Sequence, residues 1–180
     1  MAKREAETCR PVFLDDVVTQ SDNTNDYEYP NWNNLAVNRT SDYDMDTNIV
    51  GGQLTLEEVK ASLASLPVIS MSTDADFLFD RENGNYSNSK LGGQEWEREV
   101  SLEFFGFDHG ISTQTNAGLR LAGNASRSEN RHKHNMRVAF RRQYGAGTLD
   151  FPLFPGDDVT TFNSIQLRAG NGDAWVNPGT

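Results

Sequence analysis

Residues 118–154 constrain the fold of this chain more than any other stretch. Two segments of strand character, 116–122 and 136–142, flank a small-residue turn that reads Gly123-Asn124-Ala125-Ser126-Arg127. Short runs with β-branched and apolar residues, bounded by Gly, Asn and Ser, predict paired strands. The charge of the chain also reverses here. Between residues 127 and 142 stand six cations (Arg127, Arg131, Lys133, Arg137, Arg141, Arg142) and one acid, Glu129, a window of +5 in a chain of net charge −10. A glycine turn lets backbone N–H groups approach an anion, and long cations can close on it. On that reading Gly123 and Asn124 shape the turn, and Ser126 and Arg127 contact phosphate oxygens. Lys133 is a point charge on the phosphates, and Arg137 a bidentate support or an ion-pair partner. The same residues also fit an ordinary hairpin connection beside a solvated strand face.

The remaining segments predict an α+β chain, a mostly antiparallel sheet with one amphipathic helix. Thr55-Leu56-Glu57-Glu58 is a capping box, and Leu56, Val59, Leu63 and Leu66 mark one helical face that Pro67 ends. Residues 68–71 predict a short strand, and 74–79 a helical turn presenting Phe77, Leu78 and Phe79 to the core. Residues 80–95 predict a loop. Residues 96–105 predict a strand with Trp96, Val100, Leu102 and Phe104 inward and Arg98, Ser101 and Glu103 outward. A further strand is expected over 162–169. Residues 1–45 are rich in Asp, Asn, Thr and Ser and predict a polar linker or irregular wrap, with Val12-Phe13-Leu14 and Val17-Val18 as a short strand or edge. The domain proper is placed at 46–180.

Composition excludes several classes. A chain of 180 residues suffices for one domain, but its hydrophobic fraction is only 36%, so part of it is expected to lie outside the core. The acidic balance argues against general nucleic-acid binding, which needs a basic footprint. The single Cys9 excludes an internal disulfide, and no apolar run predicts a membrane span. No signal peptide is predicted, since Met1-Ala2-Lys3-Arg4 is followed by acidic residues. Asp42, Asp44 and Asp46 alternate, but Thr47 and Gln53 stand where a calcium loop needs Gly and Glu. His132 and His134 share a strand face without a clear third ligand. Asn38, Asn85 and Asn124 open glycosylation sequons that an Asn-rich chain contains by chance. No metal site is assigned. Tyr144, Phe151, Phe154 and Trp175 fit a sheet core or an aromatic platform.

The order and spacing of these motifs resemble the CotH kinase family, secreted or spore-coat atypical protein kinases of bacteria. The resemblance rests on Gly118, Arg120, Gly123, Ser126 and Arg127 in the turn. It continues through Lys133, His134, Arg137, Phe140, Arg141, Tyr144 and Gly145, then Leu149, Pro152, Leu153 and Phe154. Asp42 to Asp46, residues 66–70, residues 80–86 and Trp96-Glu97-Arg98 resemble the segments that precede this core. Ala122 stands where the family has a second Arg, and Asn135, Met136 and Ala139 also depart from its pattern.

The resemblance implies the N-terminal lobe of an atypical kinase, with ATP and Mg2+ as cofactors and a coat or extracellular protein as acceptor. It implies an extracellular or cell-surface location. The family's catalytic and metal-binding carboxylates lie beyond the Leu167-Arg168-Ala169-Gly170 strand, so no catalytic residue is assigned here. The expectation is therefore a nucleotide-facing portion, inactive by itself, of a kinase that transfers phosphate from ATP to a protein. The alternative is a non-catalytic extracellular or coat module for assembly or glycan contact.

Overall fold

The computed structural model describes residues 10–19, 45–107, 112–129, 131, 133–154 and 156–170. The chain forms two compact units, one of residues 1–68 with 104–112, the other of residues 69–103 with 113–180. It is an α+β fold with few helices and an antiparallel sheet.

In the first unit, helix α1 (Arg10–Thr19) packs with helix α2 (Leu56–Ala64). The sequence predicted a strand or edge within residues 12–18; the structure is helical there. Leu14 and Val18 explain the difference, because their spacing of four places both on one helical face, and both are buried. Lys60 of α2 pairs with Asp15 of α1 and with Glu57 one turn earlier.

The capping box of α2 forms as expected. Thr55 Oγ1 accepts from the Glu58 N–H at 3.3 Å, and Glu58 Oε2 accepts from the Thr55 N–H at 2.9 Å. On its apolar face Val59 is buried, whereas Leu56 and Leu66 are exposed. Asp46 closes the preceding turn, its Oδ1 accepting from the Asn48 N–H at 2.8 Å.

The second unit is built on a sheet of order β1-β2-β3-β4-β7. Its strands are β1 (Val68–Ser72), β2 (Arg98–Phe105), β3 (Thr113–Leu121), β4 (Met136–Ala139) and β7 (Ser164–Leu167). Strands β5 (Leu149–Asp150) and β6 (Thr161–Phe162) form a separate antiparallel pair. The pairing of β3 with β4 and of β4 with β7 is antiparallel, with Leu119 opposite Val138 and Val138 opposite Ile165.

Successive side chains of a strand point to opposite faces. On one face Val100, Leu102, Leu119, Leu121 and Val138 are buried and form the core. The strand predicted over 96–105 turns inward as expected at Val100, Leu102 and Phe104. Trp96 is only half-buried and ends a 3-10 turn (Gln94–Trp96). Arg98 lies beside it, its guanidinium 5.1 Å from the Trp96 ring centre.

Between β1 and β2 lies helix α3 (Ala75–Phe79), capped by Asp74, whose side chain accepts from the Asp76 N–H. Phe77, predicted inward, is exposed, while Leu78 and Phe79 are half-buried. A helix of five residues offers too narrow a face to bury three consecutive apolar side chains.

Candidate functional site

The turn after β3 is held from three directions. Gly123 takes φ +86°, a conformation only glycine adopts without strain. It leads into a 3-10 turn (Ala125–Arg127) in which Ser126 Oγ donates to the Ala122 carbonyl at 2.6 Å. The loop at residues 80–95 supplies the second support. Ser89 is buried, and its Oγ donates to the Arg127 carbonyl at 2.9 Å. Arg127 answers across the same gap, Nη1 donating to the Lys90 and Leu91 carbonyls at 3.0 Å each and Nε to Gly123 O at 2.5 Å. Gly92 permits this passage, because a Cβ there would collide with Arg127 Nη1. His134 is the third support: it is buried, its Nδ1 lies 2.6 Å from the Ser126 carbonyl, and Tyr86 meets its ring edge-on. A carbonyl can only accept, so Nδ1 is the donor in this contact.

An open cavity of about 400 Å³ sits against this turn, lined by Lys90, Asn124, Ala125, Arg127 and Ser128. Two of the six residues assigned from sequence, Asn124 and Arg127, line it. Gly123 and Ser126 shape the turn beneath. Lys133 is exposed and is not a lining residue. Arg137 lies on β4, exposed, and its Nη2 donates to Ser164 Oγ at 3.2 Å. Arg127 spends most of its donors on backbone carbonyls, so it braces the turn as well as facing the cavity. Lys90 and Ser128 escaped the sequence reading; the Lys90-Leu91-Gly92-Gly93 run, a cation before two glycines, was the signal that could have found Lys90. Lys90 pairs with Glu129 at 3.0 Å, and both are solvent-accessible.

The polar face of the sheet carries a second constellation. Glu97 precedes β2, and its side chain is fully enclosed. Arg141 holds it with two parallel bonds, Nε to Oε1 at 2.7 Å and Nη2 to Oε2 at 2.9 Å. The carboxylate raises the pKa of Arg141, mainly through these hydrogen bonds. Gly118 makes the arrangement possible: a Cβ there would stand 2.7 Å from Glu97 Oε1 and would overlap the Tyr144 ring. Arg120 approaches the same carboxylate, its Nε 3.5 Å from Glu97 Oε2. That distance is an ion pair without a hydrogen bond, and Arg120 Nε is buried with no partner.

Several other candidates acquire local roles. The Asn85 side chain is buried and donates to the Leu119 carbonyl at 3.2 Å, so this sequon serves packing. Phe151 is buried, while Phe154 is exposed against Phe162. Among the described residues no group of three or more His, Cys, Asp or Glu is placed to hold a metal ion. No helix among them is long and apolar enough to cross a membrane. Cys9, Asn38, Asp42, Asp44, His132 and Trp175 lie outside the described residues. Comparison with protein-family models, curated proteins and solved structures finds no match to this chain.

Proposed function

We propose that this chain is the nucleotide-facing portion of a CotH-like atypical protein kinase, whose complete form transfers phosphate from ATP to an extracellular or coat protein. One observation carries the reading: a glycine turn braced from three sides borders a cavity lined by Lys90, Asn124 and Arg127. Phosphoryl transfer depends on positioning and on charge stabilisation more than on covalent chemistry. A turn that is pre-organised before ligand arrives serves that need, because its donors require no rearrangement on binding. Lys90 would act as a point charge, the Asn124 amide as a neutral donor, and the Arg127 Nη2 edge as a second cationic contact.

The lining residues supply two cations, one amide and no carboxylate, and Lys90 would exchange its Glu129 partner for a phosphate. Magnesium, which the resemblance implies, finds no ligand set there, so its ligands would come from outside the cavity. The acceptor protein and the extracellular setting belong to the same proposal.

Thermal unfolding of the chain with and without MgATP tests this, beside Lys90→Gln and Lys133→Ala. A ligand bound only by the folded state raises the midpoint. The expected result is a rise that Lys90→Gln abolishes; loss with Lys133→Ala as well would extend the phosphate contacts to the exposed bend before β4. A cooperative transition with no rise would favour the assembly or glycan-contact module.

A further inference from the structure

We infer a second anion site on the polar face of the sheet, built from Arg120 and Arg137 and suited to a phosphoryl dianion. It rests on strand register and unmet hydrogen bonds, and it gives Arg137, which the sequence assigned to the nucleotide phosphates, to a site away from the turn cavity.

Arg120 of β3 stands directly opposite Arg137 of β4. Directly opposed residues of an antiparallel pair share a face, with Cβ atoms about 5 Å apart, and like charges so placed repel. The sheet could relieve the repulsion with carboxylates, and it does so incompletely. Among the described residues Glu97 is the acid that Arg120 reaches, and both of its oxygens are committed to Arg141. Arg120 receives only the long 3.5 Å approach, makes no hydrogen bond, and keeps a buried Nε unsatisfied. Arg137 has no carboxylate among the described residues and reaches only the Ser164 hydroxyl. Among the described residues the cluster of Arg120, Arg137, Arg141 and Glu97 therefore carries a net charge of +2.

A buried N–H without an acceptor, as at Arg120 Nε, is costly and rare in native structures. A ligand that supplies acceptors to Arg120 and opposite charge to both arginines removes both penalties. A carboxylate would leave one charge unmatched, whereas a phosphoryl dianion matches both and offers oxygens to two guanidinium forks. Ser164 and Gln166 flank Arg137, and Gln166 is its direct neighbour on β7, so a hydroxyl and an amide stand at the rim.

The probe is inorganic phosphate at a pH where it is a dianion, titrated into the full chain at constant ionic strength with chloride as the balancing salt. Binding is read from the 31P linewidth and from the thermal midpoint. Wild-type protein should saturate, and Arg120→Gln and Arg137→Gln should each weaken phosphate by about tenfold or more, the loss of one charge-assisted contact. Lys90→Gln alters only the turn cavity, so it should remove at most the phosphate bound there and retain the binding that the arginine variants lose. Without phosphate, Arg137→Gln should fold with an equal or higher midpoint, because it relieves the repulsion. That result separates a binding role from a structural one. If Arg120→Gln does not fold, the exposed Arg137→Gln carries the test alone.

Phosphate that stabilises no more than chloride overturns the site. So does phosphate binding that Lys90→Gln removes and both arginine variants retain: the anion would then sit in the turn cavity, and the nucleotide reading would stand while this one falls.

Discussion

Glu97 sets the electrostatics of the second unit. A carboxylate with a fully enclosed side chain is tolerated only because Arg141 meets both oxygens with short parallel bonds. Removing the acid strands a guanidinium pair in a setting built for its counter-charge. Glu97→Gln is expected to cost about 3 kcal/mol of unfolding free energy, the order seen when one member of a buried pair is lost. Urea denaturation at neutral pH measures it; a loss within error of zero would mean that water replaces the carboxylate. Gly118 belongs to the same feature, since its missing side chain makes the space that Glu97 and Tyr144 occupy. Gly118→Ala forces those groups to move and should cost about 1–3 kcal/mol by overpacking. A Gly118→Ala variant as stable as wild type would show that the Tyr144 ring swings away freely.

At the scale of elements, the turn after β3 and the loop at residues 80–95 behave as one device. Ser89, Arg127 and Lys90 link them across some 36–38 residues of sequence. Ser89→Ala deletes a donor to a part-buried carbonyl and is expected to cost about 1 kcal/mol. It should also speed exchange of the Arg127 amide, which closes the turn onto the Asn124 carbonyl at 3.1 Å. Unchanged exchange there would mean that the Arg127 guanidinium and His134 hold the turn without Ser89.

This linkage marks the limit of what the sequence could tell. Local signals were legible: the Thr55–Glu58 box, the alternation of Val100, Leu102 and Phe104, and the turn at Gly123 all follow from neighbours within a few residues. The bracing of that turn depends on a contact partner nearly forty residues away, and no local pattern names it. Glu97 was hidden for a related reason. A glutamate in a strand reads as solvent-facing, and only the register that brings it over Gly118 and beside Arg141 makes it buried. A usable signal existed in the surplus of arginine at 120, 137 and 141, which asks for a counter-charge. In α1 the i, i+4 spacing of Leu14 and Val18 was present, but β-branched valines drew the reading toward a strand.

For the whole molecule, pH sets two opposing trends. With a net charge of −10, the chain repels itself above its isoelectric point near 4.7, and acidification relieves that repulsion. Two carboxylates act in the other direction. Glu58 is held below its ordinary value of 4.5, first by the Thr55 N–H and then by the Thr55 hydroxyl. Asp80 is held below 3.8, first by the Asn83 N–H and then by the Glu82 N–H. A carboxylate whose pKa is lower in the folded state contributes stability above its unfolded value, and that contribution is lost as pH falls through the folded value. Unfolding free energy is therefore expected to hold or rise slightly from pH 8 to about 5, and to fall below about 4 as these two caps protonate. Glu58→Gln should flatten part of the acid decline, because its cap no longer titrates. Chemical denaturation across this range, read by far-ultraviolet circular dichroism, checks the curve. A steady fall in stability from pH 8 downward would mean that self-repulsion does not govern the charge balance of the folded chain.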